Sequence, residues 1–219
     1  MTGAAKRRCE MNGGSIDDSL ALLRSFAAAL SLSLALVFAA AAAARAADTP
    51  AFKAGVFSPP RQAPDFSLQG SDGRELSLRS YRGKVVVLGF GFTSCPEVCP
   101  TTLATLAQTR RKLGAVAADV QVVYVTVDPE RDDVERMKEY LAAFDPGFIG
   151  GAGTAEQLAA VRKDYGVLAE KKKTRGEAYT VAHSSYTYLI DRNGRLRALM
   201  PYGRAPDDYV HDLKILLNE

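Results

Sequence analysis

Two cysteines four residues apart, Cys95 and Cys99, are the side chains best equipped for chemistry in this chain. They sit in the stretch Gly91-Phe92-Thr93-Ser94-Cys95-Pro96-Glu97-Val98-Cys99-Pro100. At positions i and i+4 of a helix, their Cβ atoms would lie ~5–6 Å apart. A disulfide needs ~3.5–4.5 Å between them. A metal held ~2.3 Å from each sulfur accepts sulfurs up to ~4.6 Å apart. The spacing therefore suits a shared metal comfortably, and a disulfide after modest adjustment. Two thiolates are soft donors that select copper(I) or zinc over calcium or magnesium. So close a pair encloses too little chain to staple a fold, and it reads as functional.

A third ligand has to come from elsewhere, and the chain has only two histidines. His211 falls on the polar side of the last helix-like run and reads as solvated. His183 lies in Thr180-Val181-Ala182-His183-Ser184-Ser185, just before an alternating, strand-like run. A lone loop histidine is ordinarily a satisfied or exposed side chain, so its value depends on what the fold brings beside it. Methionine fits less well, because Met137 belongs to a helix core face and Met200 ends a strand.

The surrounding elements decide that question. Val85 to Phe90 is an unbroken apolar run, the pattern of a strand buried on both faces. It leads into the cysteines, which places them outside the carboxyl end of a strand, where α/β sheets expose their chemistry. The helix that follows should lower the thiol pKa through the positive end of its dipole. Pro100 would clash with the carbonyl of Pro96 in a regular helix. The sequence thus predicts a stiff turn or loop from Cys95 to Cys99 and a helix from about Pro100, a residue suited to the first helical position. Leu103, Leu106, Ala107 and Leu113 form that helix's apolar stripe.

Val120 to Val127 is a second buried strand, ended by Asp128-Pro129. Arg131 to Phe144 reads as a helix, Phe148-Ile149 as a short strand, and Thr154 to Tyr165 as a capped helix. Before the cysteines, 65–68 and 75–78 pair as a hairpin across Ser71-Asp72-Gly73-Arg74. Residues 171–180, with Lys171, Lys172, Lys173 and Arg175, read as a solvated excursion from the core. Ser185 to Asp191 and Arg195 to Met200 form a closing hairpin, and Asp207 to Leu217 an amphipathic helix. The order implies a right-handed βαβ core with a parallel centre. A thioredoxin-like α/β plan follows: a central mixed sheet flanked by helices. In that plan His183 lies beside the first β-α turn and so beside the cysteines.

The N-terminus is different in kind. Residues 25–44 carry no charge, basic residues Lys6, Arg7, Arg8 and Arg24 precede them, and Ala44-Arg45-Ala46 offers small residues for cleavage. Residues 1–46 therefore read as a signal peptide or an uncleaved N-terminal membrane anchor. Either way, the positive-inside rule places the remainder outside the cytoplasm, in an oxidising compartment. Residues 47–59, with Pro50 and Pro59, read as a linker, and 60–219 as one domain. Removing 1–46 takes five of the 28 basic and three of the 25 acidic residues, which leaves a nearly neutral domain. That balance argues against nucleic acid as a partner.

The cysteine stretch resembles the first motif of the Sco/SenC family, thioredoxin-fold copper chaperones of cytochrome c oxidase assembly. Val125-Thr126-Val127-Asp128-Pro129-Glu130-Arg131-Asp132 resembles the family's second motif. His183, followed by Tyr188-Leu189-Ile190-Asp191, matches its third. The resemblance covers roughly residues 60–219. It implies copper bound by Cys95, Cys99 and His183. It also implies an upstream copper donor and delivery to the dinuclear copper site of cytochrome c oxidase subunit II, at the periplasmic side of the bacterial inner membrane. Asp128 is a candidate to support a ligand from behind.

The rival class is an enzyme. A thiol-disulfide oxidoreductase would use Cys95 to attack and Cys99 to resolve. Against it, the spacer has three residues rather than two, and the chain has no tryptophan. Val181-Ala182-His183-Ser184 also stands where thioredoxins place a cis-proline. Some members of the family are thought to reduce the target's cysteines, so the two readings can coexist.

Overall fold

The computed structural model describes residues 51–174 and 178–219. The expected signal or anchor at 1–46 lies outside the described residues, as do residues 47–50. No helix among the described residues is long and apolar enough to cross a membrane.

An eight-stranded sheet organises the described part of the chain. At its centre, β4 (Val85–Gly91) and β5 (Val120–Thr126) run parallel in register, Val85 against Val120 through Gly91 against Thr126. Every residue of β4 is buried, as its unbroken apolar run requires. On one side β6 (Ile149–Ala152) adds a further parallel strand. Beyond it lie β2 (Leu68–Gly70) and β3 (Glu75–Leu76), the expected early hairpin. On the other side of β4 the antiparallel hairpin β9 (Tyr186–Ile190) and β10 (Arg195–Pro201) continues the sheet. The result is the mixed sheet that the order of elements implies.

Among the described residues, four α-helices flank it: α1 (Val98–Leu113), α2 (Val134–Ala142), α3 (Ala155–Tyr165) and α4 (Pro206–Leu217). Helix α1 buries Leu103, Leu106, Ala107 and Leu113, and it packs with α4. Helix α3 starts on a capping box between Thr154 and Gln157 and stops at Gly166 in the left-handed conformation. Asp133 caps α2 by accepting from the Arg136 backbone N–H.

Three expectations need correction. The linker expected over 47–59 is not found at 51–59. The Lys53 and Ala54 backbone N–H groups donate to the Asp212 carboxylate at 2.8 and 2.9 Å. β1 (Gly55–Gln62) then pairs with β10 as the edge of the sheet. Nearly all of β1 is exposed, so it carries no hydrophobic alternation, and its prolines are tolerable only at an edge. Second, helix α1 begins at Val98, two residues before the expected Pro100. Because the helix starts after Pro96, the anticipated clash does not arise. Third, the solvated excursion expected over 171–180 is made of strands on either side of 175–177, which lie outside the described residues. β7 (Ala169–Lys173) and β8 (Tyr179–His183) pair as a separate two-stranded sheet. His183 is accordingly the last residue of a strand, not part of a loop.

Candidate metal centre

The three residues singled out for ligation come together. One sulfur each from Cys95 and Cys99 and a ring nitrogen of His183 all lie within 4.8 Å of one another. Cys95 arrives on the short turn after β4, Cys99 on the first turn of α1, and His183 from the end of β8. Both cysteines are free, with Cys95 partly exposed and Cys99 fully buried. The second histidine, His211, is on α4 and bonds the adjacent Asp212 carboxylate at 2.9 Å. It takes no part in the cluster.

The donor set fits a soft metal ion. Cys99 Sγ stands 3.5 Å from His183 Nε2. Bonds of ~2.3 Å to sulfur and ~2.0 Å to nitrogen, meeting at a tetrahedral angle, span about 3.5 Å. The imidazole is also oriented for the task. Its Nδ1 lies 2.9 Å from the Ser184 carbonyl oxygen. A carbonyl can only accept, so Nδ1 carries the proton and Nε2 keeps its lone pair toward the sulfurs. Burial pushes the His183 pKa down, so the ring is neutral at physiological pH.

The thiol electrostatics correct the sequence expectation. A helix N-terminus should lower the Cys99 pKa, but burial pushes it up to about 12. Hydrogen bonds from the Tyr124 hydroxyl and the Phe92 backbone oppose that rise only in part. Cys99 is therefore a protonated thiol at neutral pH until a metal displaces the proton.

Two devices hold the cysteine turn. Asp132, 2% exposed, accepts from Thr93 N at 3.0 Å, Thr93 Oγ1 at 2.6 Å and Thr126 Oγ1 at 2.7 Å. One buried carboxylate thus fastens the start of the turn to the end of β5. Beneath Cys99 lies Tyr124 of β5, with room for its ring and hydroxyl because β4 carries glycine at 89 and 91. Phe92, 1% exposed, walls the site and meets the His183 ring edge to face, with 5.9 Å between centroids.

Asp128, a sequence candidate, is buried but lies outside the ligand cluster. It accepts from Arg131 Nε at 2.5 Å and from the Tyr179 hydroxyl at 2.8 Å. Its contacts thus reach β8, the strand that carries His183. Tyr124, Asp132, Tyr179 and Arg131 were not assigned roles from sequence. The legible signal for Asp132 was a second carboxylate four residues after Asp128, both just beyond a buried strand.

The SCO1/SenC family model matches residues 57–218. The chain belongs to that family. It is 37% identical over 153 residues to the mitochondrial SCO2 homolog of Mus musculus, covering 68% of this chain and 60% of the mouse protein. The chain thus matches less than two thirds of that relative's length. Among solved structures, copper-bound ScoI of Bradyrhizobium japonicum is 36% identical, with a TM-score of 0.66, covering 71% of this chain and 99% of ScoI. Apo Sco1 of Thermus thermophilus is 38% identical, with a TM-score of 0.70, covering 77% and 99%. The chain shares the thioredoxin-like Sco fold of these structures, and the copper bound in the Bradyrhizobium japonicum relative is a metal that suits the soft cluster found here.

Proposed function

We propose that this chain is a copper chaperone. Cys95, Cys99 and His183 bind copper, and the protein delivers it to the dinuclear copper site of cytochrome c oxidase subunit II during assembly. An upstream donor loads it. It works at the periplasmic side of the bacterial inner membrane, with residues 1–46 as its signal or anchor. The observation that carries this reading is the convergence of two sulfurs and one imidazole nitrogen within 4.8 Å.

The chemistry supports transport rather than permanent holding. Three soft ligands leave a metal coordinatively open, so an incoming thiolate can bind before an old ligand leaves. His183 lines a surface groove of about 780 Å³ with Leu168, Tyr186 and Tyr202 at its sides, which leaves room for a partner's chain to approach. Copper enters as Cys99 loses its proton, while the neutral His183 binds without losing one.

A second reading has one observation in its favour. Cys95 is the more exposed thiol and Cys99 the buried one, the arrangement of an attacking and a resolving cysteine. The Cys95 thiolate would attack a target disulfide and release one target thiol. Cys99 would then displace the second and leave Cys95–Cys99 oxidised. The high pKa of Cys99 makes that second step slow at neutral pH.

The test is copper(I) titration of reduced residues 47–219, which include the whole compact unit 51–219. A His183→Ala variant runs beside it, with disulfide reduction measured on both. Tight binding by the parent and weaker binding by the variant support the chaperone. Equal, weak binding by both with fast disulfide reduction would reverse the assignment.

A further inference from the structure

The hairpin that presents His183 has little of its own to hold it still. Every residue from Glu170 to Lys173 is exposed, and Val181 is the one buried residue of β8. A two-stranded hairpin alone is marginally stable in water. Its base is tied by Ser184 N donating to Leu168 O at 3.0 Å, and by Leu168 N donating to Ser184 Oγ at 3.2 Å.

Its second attachment is one turn of the main body, residues 128–131. Arg131 Nη1 donates to the Tyr179 carbonyl oxygen at 3.1 Å. The guanidinium also stacks over the Tyr179 ring, 3.9 Å from its centroid. Arg131 Nε donates to Asp128, and the other oxygen of that carboxylate accepts from the Tyr179 hydroxyl. Glu130 pairs with Lys171 on β7. A fully buried carboxylate keeps its partners, because leaving it unpaired is costly. Arg131 further lies 5.6 Å from the centroid of Phe92, the ring that meets His183.

Strand geometry carries this clamp to the site. Side chains two and four apart on a strand share a face, so Tyr179, Val181 and His183 point the same way. With the base tied at Ser184 and Tyr179 clamped, β8 cannot rotate about its own base. Rotation is what would swing the imidazole off the sulfurs.

We propose that Arg131 is a positioning residue for the third ligand. By clamping Tyr179 against Asp128 it holds β8 so that His183 Nε2 stays at the sulfurs, and copper is retained by three ligands rather than two. This rests on reading Cys95, Cys99 and His183 as the ligands.

The experiment is a copper(I) competition titration of the purified, reduced protein and its Arg131→Ala, Arg131→Lys, His183→Ala and Arg131→Ala/His183→Ala variants. Arg131→Ala should weaken copper binding at least about tenfold, within the range for lost ligand support. Arg131→Lys keeps the charge but loses the planar fork and stacking, and should fall between the two. In the His183→Ala background, Arg131→Ala should change affinity by less than about twofold. Hydrogen exchange of the metal-free protein provides a readout without copper. Amides of 179–183 should exchange at least about tenfold faster in Arg131→Ala while those of β4 and β5 do not change. Unchanged affinity or unchanged exchange in Arg131→Ala overturns the proposal. So does an equal loss in both backgrounds, which would mean that Arg131 acts on the cysteine turn or on the fold at large. If His183→Ala alone binds copper as tightly as the parent, the ligand assignment itself fails and takes the positioning role with it. That outcome is recognised without any Arg131 variant.

Discussion

Replacing Gly91 by alanine is the sharpest perturbation of the site that keeps Cys95, Cys99 and His183 themselves unsubstituted. Gly91 ends β4, fully buried, and its backbone is ordinary extended strand. Only space forbids a side chain. A Cβ there would lie 2.1 Å from the Tyr124 hydroxyl oxygen and 2.7 Å from Cys99 Sγ. The first distance falls short of ordinary contact by more than an ångström. Neither neighbour can yield easily, since Tyr124 and Cys99 are 2% and 0% exposed. Overpacking of this kind costs about 3 kcal/mol at the upper end of its usual range. Restricting the unfolded backbone returns roughly 1 kcal/mol, leaving about 2 kcal/mol. For a unit of this size, that lowers Tm by about 4–8 °C. The control is Gly55→Ala on the edge strand, where the nearest atom would be 3.8 Å away. Thermal melts of both metal-free variants measure the cost, and copper(I) titration reads the displacement of Cys99 Sγ as weaker binding. If Gly91→Ala melts with Gly55→Ala and binds copper like the parent, the packing of Tyr124 under Cys99 is not what positions that sulfur.

Two further outcomes follow from the same contacts. Copper binding should strengthen with pH. The Cys99 pKa is about 12 in the metal-free protein and the bound thiolate has no proton, so at least one proton leaves per copper above neutrality. That proton alone raises affinity about tenfold per pH unit, fully expressed below about pH 12. His183 adds no slope at pH 7 and above, because its lowered pKa leaves it neutral there. Titrations at pH 7, 8 and 9 check this, and a flat profile would refute it. Asp132→Ala should strip the acceptor from Thr93 N, Thr93 Oγ1 and Thr126 Oγ1 at once. Leaving those buried donors without their acceptor costs about 2–4 kcal/mol. Urea unfolding gives that number, and Asp132→Asn, which keeps one acceptor oxygen, should recover part of it.

How far the sequence carries depends on what holds each element. β4 and β5 were legible because burial on both faces writes a continuous apolar run. The cysteine pair and His183 were legible because few other residues in the chain are soft ligands. β1 and the β7–β8 hairpin were not, since both are exposed and held by backbone pairing. Nothing in Glu170-Lys171-Lys172-Lys173 alternates, so it reads as solvent-facing chain until Glu130 and Arg131 are seen beside it. The elevated pKa of Cys99 was missed for a related reason. The helix dipole is visible in sequence order, but burial beside Tyr124 and Phe92 is a property of packing and outweighs it.

The three candidate ligands rest on two supports of different stiffness, and that bears on how a metal could be both kept and released. Cys95 and Cys99 stand on a turn fastened by the buried Asp132 and backed by Tyr124, both inside the central β4–β5 packing. Moving them means disturbing the core. His183 stands on a hairpin outside the main sheet, held there by the Asp128–Arg131–Tyr179 clamp and by the Lys171–Glu130 pair, whose side chains are 48% and 61% exposed. Exposed pairs of this kind contribute little individually and weaken with salt. Under the chaperone reading, the cheapest ligand to lose is therefore the imidazole, and it is also the ligand beside the open groove. A partner that disturbs the hairpin removes one ligand without touching the fold, and the copper is left on two thiolates facing whatever sulfur the partner brings. The cysteine turn, with Cys99 buried at its end, keeps hold of the metal in the meantime. Release is then set by contact with the right surface rather than by a generally weak site.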